Sequence, residues 1–302
     1  LIMNNEVRVE GVFKNYGEVE ALQDISLDIH SGELFGLIGP DGAGKTSLFR
    51  ILTTLLLADK GEATVCGLDV VRDYKKIRTM VGYMPGRFSL YQDLTVEENL
   101  NFFATVFNTT VEENYELVRD IYVQIEPFKK RKAGKLSGGM KQKLALSCAL
   151  IHRPEVLFLD EPTTGVDPVS RVEFWDMLDR LKKQGITILV STPYMDEASR
   201  CDRIALMRSG RCLSVDTPVG IRSSFGRQLW IVRSASMYKL LVDLRVFPGT
   251  HSCYAFGDAH HLTLKEDGRE MNALLQFLKE KGYTDVVIEP AEPSVEDCFM
   301  AL

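Results

Sequence analysis

The sequence predicts an α/β protein built around a parallel β-sheet. Three short runs, residues 33–39, 156–159 and 186–190, are apolar enough to be buried strands. Strands that are apolar throughout are typical of sheets covered by helices on both faces, and helical segments separate these three runs. In such sheets ligands bind at the carboxyl ends of the strands, so we expect the functional site at that edge.

The first strands are followed by a loop, a helix and a helical insertion. Short β-type runs alternate with turns over residues 7–38, and a glycine-rich loop comes directly after them. Residues 45–57 are expected to form a helix, and residues 86–135 have a helical pattern. The apolar side chains of that segment that are spaced for one buried face are Val118, Ile121, Tyr122 and Ile125.

The end of the chain predicts a second, smaller domain. A linker-like stretch begins at Asp216-Thr217-Pro218 and ends near Ser224-Phe225-Gly226. The residues after it alternate as strand, helix, two strands, helix and strand, which is the βαββαβ order of a ferredoxin-like α+β unit. We therefore predict one domain over residues 1–225 and an accessory domain over residues 226–302.

Composition and charge exclude several classes of protein. The 302 residues are 45% hydrophobic and 26% charged, as in an ordinary folded protein, and the length suits about two domains. With 36 basic against 42 acidic residues the net charge is −6, so we expect no nucleic-acid partner. The six cysteines form no CxxC pair, which disfavours a zinc cluster or a disulfide framework.

Hydropathy indicates a chain that is soluble by itself, and the scattered cysteines suit a reducing cytosol. No run approaches the ~18 to 20 apolar residues of a membrane helix, and the first residues lack the apolar core of a signal peptide. The chain begins with Leu1 rather than Met, which leaves open that it is a piece of a longer protein.

The most specific motif comes directly after the first buried strand. It matches GxxxxGKS/T between a predicted strand and a predicted helix, which is the context that a phosphate-binding P-loop needs. Glycines let backbone N–H groups point at phosphate oxygens, while Lys45 reaches the β- and γ-phosphates and Thr46 ligates Mg²⁺. The predicted nucleotide-binding residues of this loop are Gly39, Pro40, Asp41, Gly42, Ala43, Gly44, Lys45, Thr46 and Ser47.

Two carboxylates end the second buried strand, in the run VLFLDEP. Asp160 can hold Mg²⁺ through water, which leaves Glu161 free to polarise an attacking water. Coupled to a P-loop, this pair predicts nucleotide hydrolysis with Glu161 as the catalytic residue and with Thr46 and Asp160 at the metal.

A second glycine-rich helix start lies in LSGGMKQ, residues 136–142. Ser137 is in N-cap position, and the glycines behind it leave backbone N–H groups bare, so this helix start also suits an anion. One chain then carries two phosphate-binding helix ends. We interpret the second as serving a nucleotide held by another copy or subunit, through Ser137, Gly138, Gly139 and Gln142.

Together these motifs resemble the nucleotide-binding domains of ATP-binding cassette (ABC) proteins. The resemblance covers residues 7–215 and rests on LSGGMKQ standing between GPDGAGKT and VLFLDEP. It implies a P-loop NTPase core of the ABC type that binds ATP and Mg²⁺, and whose LSGG completes the ATP site of a second ABC ATPase domain. It also implies that Tyr16 stacks on adenine, with a plain core tyrosine as the alternative, and that Asp167 lies in a loop crossing the dimer interface.

The appended domain narrows the resemblance. Its last residues, EPSVEDCF, look like those of drug-export ABC ATPases, whose membrane partners are usually separate chains. The resemblance thus implies an ATPase subunit for multidrug or small-molecule efflux, cytoplasmic and peripheral on the inner face of the cell membrane, with an integral membrane permease subunit as partner. The alternatives are a soluble ABC protein outside transport and a nucleotide-binding regulatory module without turnover.

The helical insertion contains five aromatic residues: Phe88, Tyr91, Phe102, Phe103 and Phe107. We interpret most of them as core. In the family a helix of the membrane subunit docks in this region, so some of them are candidates for a partner groove.

Two positions depart from the family pattern. Where the family carries a Gln that helps to coordinate Mg²⁺, this chain has Gly86. Where it places a His at the γ-phosphate, this chain has Pro193, which offers neither a side-chain donor nor an N–H. Losing one such donor typically lowers turnover about 10²- to 10³-fold. We therefore expect a degenerate site that binds Mg-ATP and hydrolyses it slowly, with compensation by Arg87 or Arg171 as the competing hypothesis.

Overall fold

The computed structural model describes residues 5–266 and 270–302. This part of the chain divides into two compact units, the first ending at Pro218 and the second beginning at Val219. The division falls shortly before the boundary expected after Phe225. Each unit has a hydrophobic core of its own.

The first unit contains two sheets. Its strands are β1 (Asn5–Tyr16), β2 (Val19–His30), β3 (Leu34–Ile38), β4 (Lys60–Val65), β5 (Leu68–Asp69), β6 (Val81–Met84), β7 (Val156–Asp160), β8 (Thr187–Thr192), β9 (Arg203–Arg208) and β10 (Arg211–Asp216). One sheet is antiparallel with the order β2-β1-β4-β5. The other has the order β10-β9-β3-β8-β7-β6, and in it all strands except β10 run parallel. The predicted α/β architecture with a parallel sheet is therefore confirmed.

Helices and 3₁₀ turns fill the connections of the first unit. The α-helices are α1 (Lys45–Leu52), α2 (Tyr74–Met80), α3 (Val96–Val106), α4 (Tyr115–Tyr122), α5 (Gly138–Leu150) and α6 (Pro168–Lys183). The 3₁₀ helices span Glu126–Phe128, Ala133–Lys135 and Met195–Arg200. Helix α1 is shorter than expected, because Thr54 has a φ angle of 63° that a right-handed helix cannot contain. Within the described residues, no helix is both long and apolar enough to cross a membrane.

Helices α3 and α4 form the predicted insertion. Thr95 begins α3 with a reciprocal capping box, in which its hydroxyl accepts from the Glu98 N–H at 3.2 Å. Val118, Ile121 and Tyr122 are buried on α4, and Ile125 is buried just after it. The apolar spacing thus located the buried face correctly.

The second unit is an α+β arrangement. Helix α7 (Pro218–Ser223) begins at the last residue of the first unit. The further elements of the second unit are β11 (Leu229–Arg233), α8 (Met237–Val246), β12 (Thr250–Phe256), β13 (Ala259–Leu264), α9 (Glu270–Glu280), β14 (Val287–Ala291) and α10 (Val295–Ala301). The four strands are antiparallel with the order β12-β13-β11-β14. Leu240, Leu244 and Leu274 of the helices share a core with Val232 and Leu262 of the sheet.

Parallel pairing brings three chain segments to one edge of the central sheet. Ile38 at the end of β3 pairs with Thr192 at the end of β8, and Asp160 at the end of β7 pairs with Ser191. The P-loop follows β3, Pro193 follows β8, and the acidic pair consists of the last residue of β7 and the residue after it. They therefore meet at the edge where the sequence places the site.

Candidate functional site

The loop between β3 and α1 encloses the side chain of Lys45. Gly44 has a φ angle of 100°, and a Cβ there would lie 2.4 Å from a backbone carbonyl oxygen, so only glycine fits. The Lys45 ammonium donates to the carbonyl oxygens of Gly39 at 2.7 Å and Pro40 at 3.0 Å. It also lies 3.2 Å from Oε1 of Glu161, and Lys45 is 3% exposed. The loop thus places a positive charge at a helix start, which suits phosphate groups.

Three oxygen-bearing side chains meet where β7 and β8 end. Oδ1 of Asp160 accepts hydrogen bonds from Oγ1 of Thr46 at 3.1 Å and from Oγ of Ser191 at 2.6 Å. Asp160 and Ser191 are buried, and Thr46 is half-buried. A carboxylate beside hydroxyl groups is a donor set that Mg²⁺ accepts in proteins. Thr46 and Asp160 therefore fit the magnesium ion that the sequence predicts.

Glu161 lies between the P-loop and β8. Its φ angle is 49°, in the left-handed region that is uncommon for residues other than glycine. Its N–H donates to the carbonyl oxygen of Ser191 at 3.1 Å and to the hydroxyl oxygen of the same residue at 3.0 Å. Such a conformation costs roughly 1–3 kcal/mol and persists where neighbouring groups hold it. The carboxylate faces Lys45, on the side where the predicted phosphates would lie.

A cleft of about 730 Å³ lies over these groups. Its lining includes Asp41, Gly42, Ala43, Gly44, Lys45, Thr46, Ser47 and Glu161. Tyr16 is 45% exposed, and its hydroxyl oxygen lies 3.4 Å from Oγ of Ser47. The alternative that Tyr16 is a core tyrosine is therefore wrong. A ring exposed beside the P-loop is compatible with the stacking role predicted for it.

The two positions that depart from the family pattern lie beside this cluster. A Cβ at Gly86 would lie 3.1 Å from the carbonyl oxygen of Asp160. Pro193 directly follows Thr192, whose carbonyl oxygen accepts from the N–H of Gly39 at 3.2 Å. A side chain at either position would start next to the acidic pair or the P-loop. Neither residue supplies a side-chain donor there.

Arg171 is held by another set of contacts. Its guanidinium lies 3.0 Å from Oε1 of Glu197 and 3.2 Å from Asp196, and it covers the ring of Tyr194 at 4.3 Å. Glu197 is 4% exposed and also accepts from Oγ1 of Thr192 at 2.6 Å. The buried carboxylate thus ties the loop after β8 to helix α6. Compensation by Arg171 is not supported, because its charge is already used to pair with Glu197.

The second glycine-rich helix start lies apart from the P-loop. Oγ of Ser137 accepts from the N–H of Met140 at 3.3 Å, so Ser137 caps α5 as predicted. Ser137 and Gly138 are exposed, and a Cβ at Gly138 would lie 3.4 Å from the carbonyl oxygen of Gly165. In the described part of the chain, no hydrogen bond or ion pair joins this helix start to the P-loop.

Asp167 lies two residues after Gly165 and is the N-cap residue of α6. Its Oδ1 accepts from the N–H of Ser170 at 3.0 Å, and this bond lowers the pKa of the Asp167 carboxyl group. Gly139 is also close to this helix, since a Cβ at Gly139 would lie 2.9 Å from Oγ of Ser170. Residues 136–142, the signature segment LSGGMKQ, and the loop of Asp167 therefore form one continuous surface.

A second cleft of about 410 Å³ adjoins the helical insertion. Three of the five predicted aromatic residues line it, namely Phe88, Phe103 and Phe107. Gly86, Arg87 and Gln142 line it as well, so Gln142 contributes to this cleft one turn beyond the signature glycines. The apolar lining next to Gly86 makes this cleft the candidate for a docking groove.

Sequence reasoning missed two groups that hold the site together. Ser191 contacts both acidic residues, and Glu197 fixes the loop that contains Pro193. Ser191 follows the apolar residues Ile188, Leu189 and Val190 in the strand TILVST, and a polar residue at the carboxyl end of a buried parallel strand was the available signal. Glu197 lies in a 3₁₀ segment with no recognisable pattern of its own.

Known proteins similar to this chain agree on one family. A family described as "ABC transporter" matches residues 22–164. The probable multidrug ABC transporter ATP-binding protein YbhF of Escherichia coli (strain K12) is 38% identical over 307 residues, covering 99% of this chain. The match takes up 52% of YbhF, so the chain spans about half the length of that relative.

A second relative matches over nearly its whole length. The daunorubicin resistance ATP-binding protein DrrA2 of Streptomyces coeruleorubidus is 34% identical over 304 residues, which is 98% of this chain and 94% of the relative. Among solved structures, cbiO1 from Clostridium perfringens, part of the ABC transporter complex cbiONQ, has a TM-score of 0.65 at 27% identity. That match covers 73% of this chain and 91% of cbiO1. The dimeric cassette MJ0796 has a TM-score of 0.64 at 26% identity, over 70% of this chain and 98% of its own.

Proposed function

Because this chain belongs to the family of ABC transporter ATP-binding proteins, we propose that it is an ATP-binding and ATP-hydrolysing subunit that powers a membrane exporter. The exported compound belongs to the multidrug or small-molecule class, as the descriptions of YbhF and DrrA2 suggest. In this proposal residues 1–225 form the ATPase domain, and residues 226–302 form an accessory domain.

One observation carries the proposal. Lys45, Thr46 and Glu161 come from two distant parts of the chain and line one cleft, and the buried Asp160 lies behind it, bonded to Thr46. In the proposed site Lys45 and the P-loop N–H groups bind the phosphates of ATP, and Tyr16 stacks on the adenine ring. Thr46 and Asp160 hold Mg²⁺, which neutralises phosphate charge when bound. Glu161 orients and polarises the attacking water.

We propose that this site hydrolyses ATP slowly. Gly86 and Pro193 stand next to the reacting groups without a side-chain donor, so charge developing on the phosphate lacks two stabilising partners. The exposed Ser137 and Gly138 and the half-buried Gly139 then complete the ATP site of a second ABC ATPase domain, in the same or a different chain. Gln142 and Asp167 assist at that interface.

The second cleft suits the membrane partner. Its lining is mainly apolar and includes Gly86, which lies next to Asp160. A segment bound in the cleft would therefore affect the acidic pair. We propose that a helix of an integral membrane permease subunit docks there, which places the chain at the cytoplasmic face of the membrane.

The testing experiment is steady-state Mg-ATP hydrolysis over a range of protein concentrations, run beside a nucleotide-binding measurement and a Lys45→Ala control. If the ATP site is degenerate, we expect tight ATP binding with a turnover close to that of the Lys45→Ala control. Turnover per chain that rises with concentration and vanishes in Lys45→Ala would mean productive self-dimers and would overturn the slow-site proposal. Absence of ATP binding would overturn the function itself.

The exporter assignment has its own test. The tagged chain is purified from detergent-solubilised membranes, and the bound proteins are identified. Recovery of one integral membrane protein in stoichiometric amount is expected. Recovery of the chain from the aqueous fraction alone, with ATP binding intact, would favour a nucleotide-binding protein outside transport.

A further inference from the structure

One buried hydroxyl group touches both acidic residues of the site. Ser191 lies near the end of β8 and is 0% exposed. Its Oγ donates to Oδ1 of Asp160 at 2.6 Å and accepts from the backbone N–H of Glu161 at 3.0 Å. A serine hydroxyl has a single proton, so the bond to Asp160 uses it while a lone pair receives the N–H. The direction of this hydroxyl is thus set by two neighbours.

The bond to Asp160 selects an orientation of the carboxylate. Oδ1 accepts from Ser191 and also from Thr46, so both hydroxyl groups hold the same oxygen. Among the described residues no hydrogen bond reaches the other oxygen, Oδ2. Because Asp160 is 3% exposed, rotation of its carboxylate away from these partners would leave a buried charge without hydrogen bonds. Oδ2 is therefore the oxygen left for a further partner.

The bond to Glu161 acts on the backbone. The N–H of Glu161 is shared between the hydroxyl oxygen and the carbonyl oxygen of Ser191, at 3.0 and 3.1 Å. This three-centre bond holds a residue whose φ angle of 49° is otherwise unfavourable. Since the backbone angles decide where a side chain starts, the same bond sets the direction of the carboxylate that faces Lys45.

We propose that Ser191 is a positioning residue, whose hydroxyl group orients Asp160 for Mg²⁺ and fixes the backbone from which Glu161 reaches the reaction. The inference rests on the proposed function, because both carboxylates belong to that site. The strand pairing of Asp160 with Ser191 and the main-chain bond from Glu161 do not need the hydroxyl. Removing the hydroxyl therefore tests orientation rather than folding.

The test compares Ser191→Thr with Ser191→Val, which have the same shape and differ in the hydroxyl group. The matched control is Thr187→Val, which removes another buried hydroxyl from β8. Oγ1 of Thr187 accepts from the N–H of Gly32 at 2.9 Å, at the end of the strand away from the site. The readouts are Mn²⁺ affinity with a non-hydrolysable ATP analogue, by electron paramagnetic resonance, and ATP affinity without divalent ions.

Loss of a group that orients a metal ligand typically weakens metal binding about 10- to 100-fold. We expect this loss in Ser191→Val, with metal-free ATP affinity unchanged within about twofold. Ser191→Thr and Thr187→Val keep the wild-type Mn²⁺ affinity. A purely structural role would instead lower thermal stability and both affinities together.

Wild-type Mn²⁺ affinity in Ser191→Val overturns the proposal. If Ser191→Val does not fold, Ser191→Ala takes its place, because it leaves the main-chain bonds intact. Weaker Mn²⁺ binding in Ser191→Ala then supports the proposal, and wild-type binding overturns it. A wild-type chain that binds no ATP contradicts the proposed function instead, so the two failures are distinguishable.

Discussion

The two glycine-rich helix starts of this chain differ in where their polar groups lie. At the start of α1, Lys45 is 3% exposed and is surrounded by carbonyl oxygens and the carboxylate of Glu161. At the start of α5, Ser137 and Gly138 are exposed, and the Ser137 hydroxyl bonds to the N–H of Met140 in its own helix. One start lies within a site that the chain builds itself, and the other faces solvent.

The surroundings, rather than the local motif, therefore decide what a helix start does. Both segments place glycines at the start of a helix, where the first backbone N–H groups favour anions for the same electrostatic reason. Only the first follows a central parallel strand, so only the first lies beside the carboxylates at the end of β7, two strands away in the same sheet. We interpret the first as the site of this chain and the second as a surface offered to a facing domain.

Supplying the donors that the first helix start lacks tests this interpretation most strongly. We expect Gly86→Gln combined with Pro193→His to raise ATP turnover by about 10²- to 10³-fold, because each restored donor stabilises charge on the phosphate. The measurement is steady-state hydrolysis, with Lys45→Ala added to the same variant as control. A wild-type chain that is already as fast would show that the donors are replaced from elsewhere. Loss of that activity in Arg87→Ala would then identify Arg87 as the replacement.

Lys45→Ala tests whether the enclosed helix start binds the nucleotide. A charge-assisted hydrogen bond contributes roughly 1.5–3 kcal/mol, so removing the ammonium weakens Mg-ATP binding by about 10²-fold. Isothermal titration calorimetry measures the effect. Lys76→Ala, on the exposed face of α2, is the matched control and keeps wild-type affinity. Equal affinity in both variants would contradict the assignment of the P-loop.

Ser137→Arg tests the exposed helix start separately. A long cation at the N-cap blocks the approach of a facing domain, so ATP-driven dimerisation of a Glu161→Gln background weakens by about tenfold or more. Light scattering measures the dimer, and calorimetry on a solution too dilute for dimers measures ATP affinity, which stays at the value of the Glu161→Gln background because Ser137 lies apart from the P-loop. Gln184→Arg, at the exposed end of α6, is the control. If ATP affinity falls instead, the two helix starts belong to the same site.

Substitution of Tyr16, which lies beside the P-loop, is expected to have a smaller effect on ATP affinity. Stacking of a base on an aromatic ring contributes roughly 1–3 kcal/mol, so Tyr16→Ala weakens ATP binding by about tenfold. Tyr16→Phe keeps the ring and loses the 3.4 Å contact with Ser47, and it retains most of the affinity. Equal losses in both variants would mean that the hydroxyl group, rather than the ring, contributes to binding.

The smallest expected effect is on the pH dependence of stability and involves the second cleft, where the ring of His152 stacks on that of Phe107 at 3.7 Å. Burial lowers the pKa of His152 below its usual 6.5, and the hydrogen bond to the Val81 carbonyl oxygen opposes this only in part. The unfolded chain therefore takes up this proton at a higher pH than the folded chain does. The stabilising contribution is complete above the unfolded pKa and is lost as the pH falls through the lower folded pKa.

His152→Gln therefore reduces the loss of stability between about pH 8 and about pH 5. The urea concentration at the midpoint of unfolding, determined at both pH values, measures this loss of stability. His251→Gln, at an exposed position, is the control. Identical pH dependence in the wild type and in His152→Gln would contradict the prediction.

Local signals in the sequence were enough for the architecture and for most of the candidate site. Apolar runs predicted β7 and β8 to within about two residues, and the P-loop and the signature were recognisable because glycine spacing and a helix cap are local requirements. The alternation of elements likewise predicted a parallel sheet and a helical insertion. The roles of Tyr16, Gln142 and Asp167 at a nucleotide or partner stay predictions.

Contacts between distant groups came from the tertiary structure alone. Parallel pairing sets Ser191 against Asp160, and the fold around β8 sets Glu197 against Arg171, although neither pair is close in sequence. The end of α1 at Leu52 depended on the backbone of Thr54, and the exposure of Tyr16 depended on what packs around it. Hydrogen bonds between strand ends and loops arise from non-local packing, so no pattern within one segment predicts them.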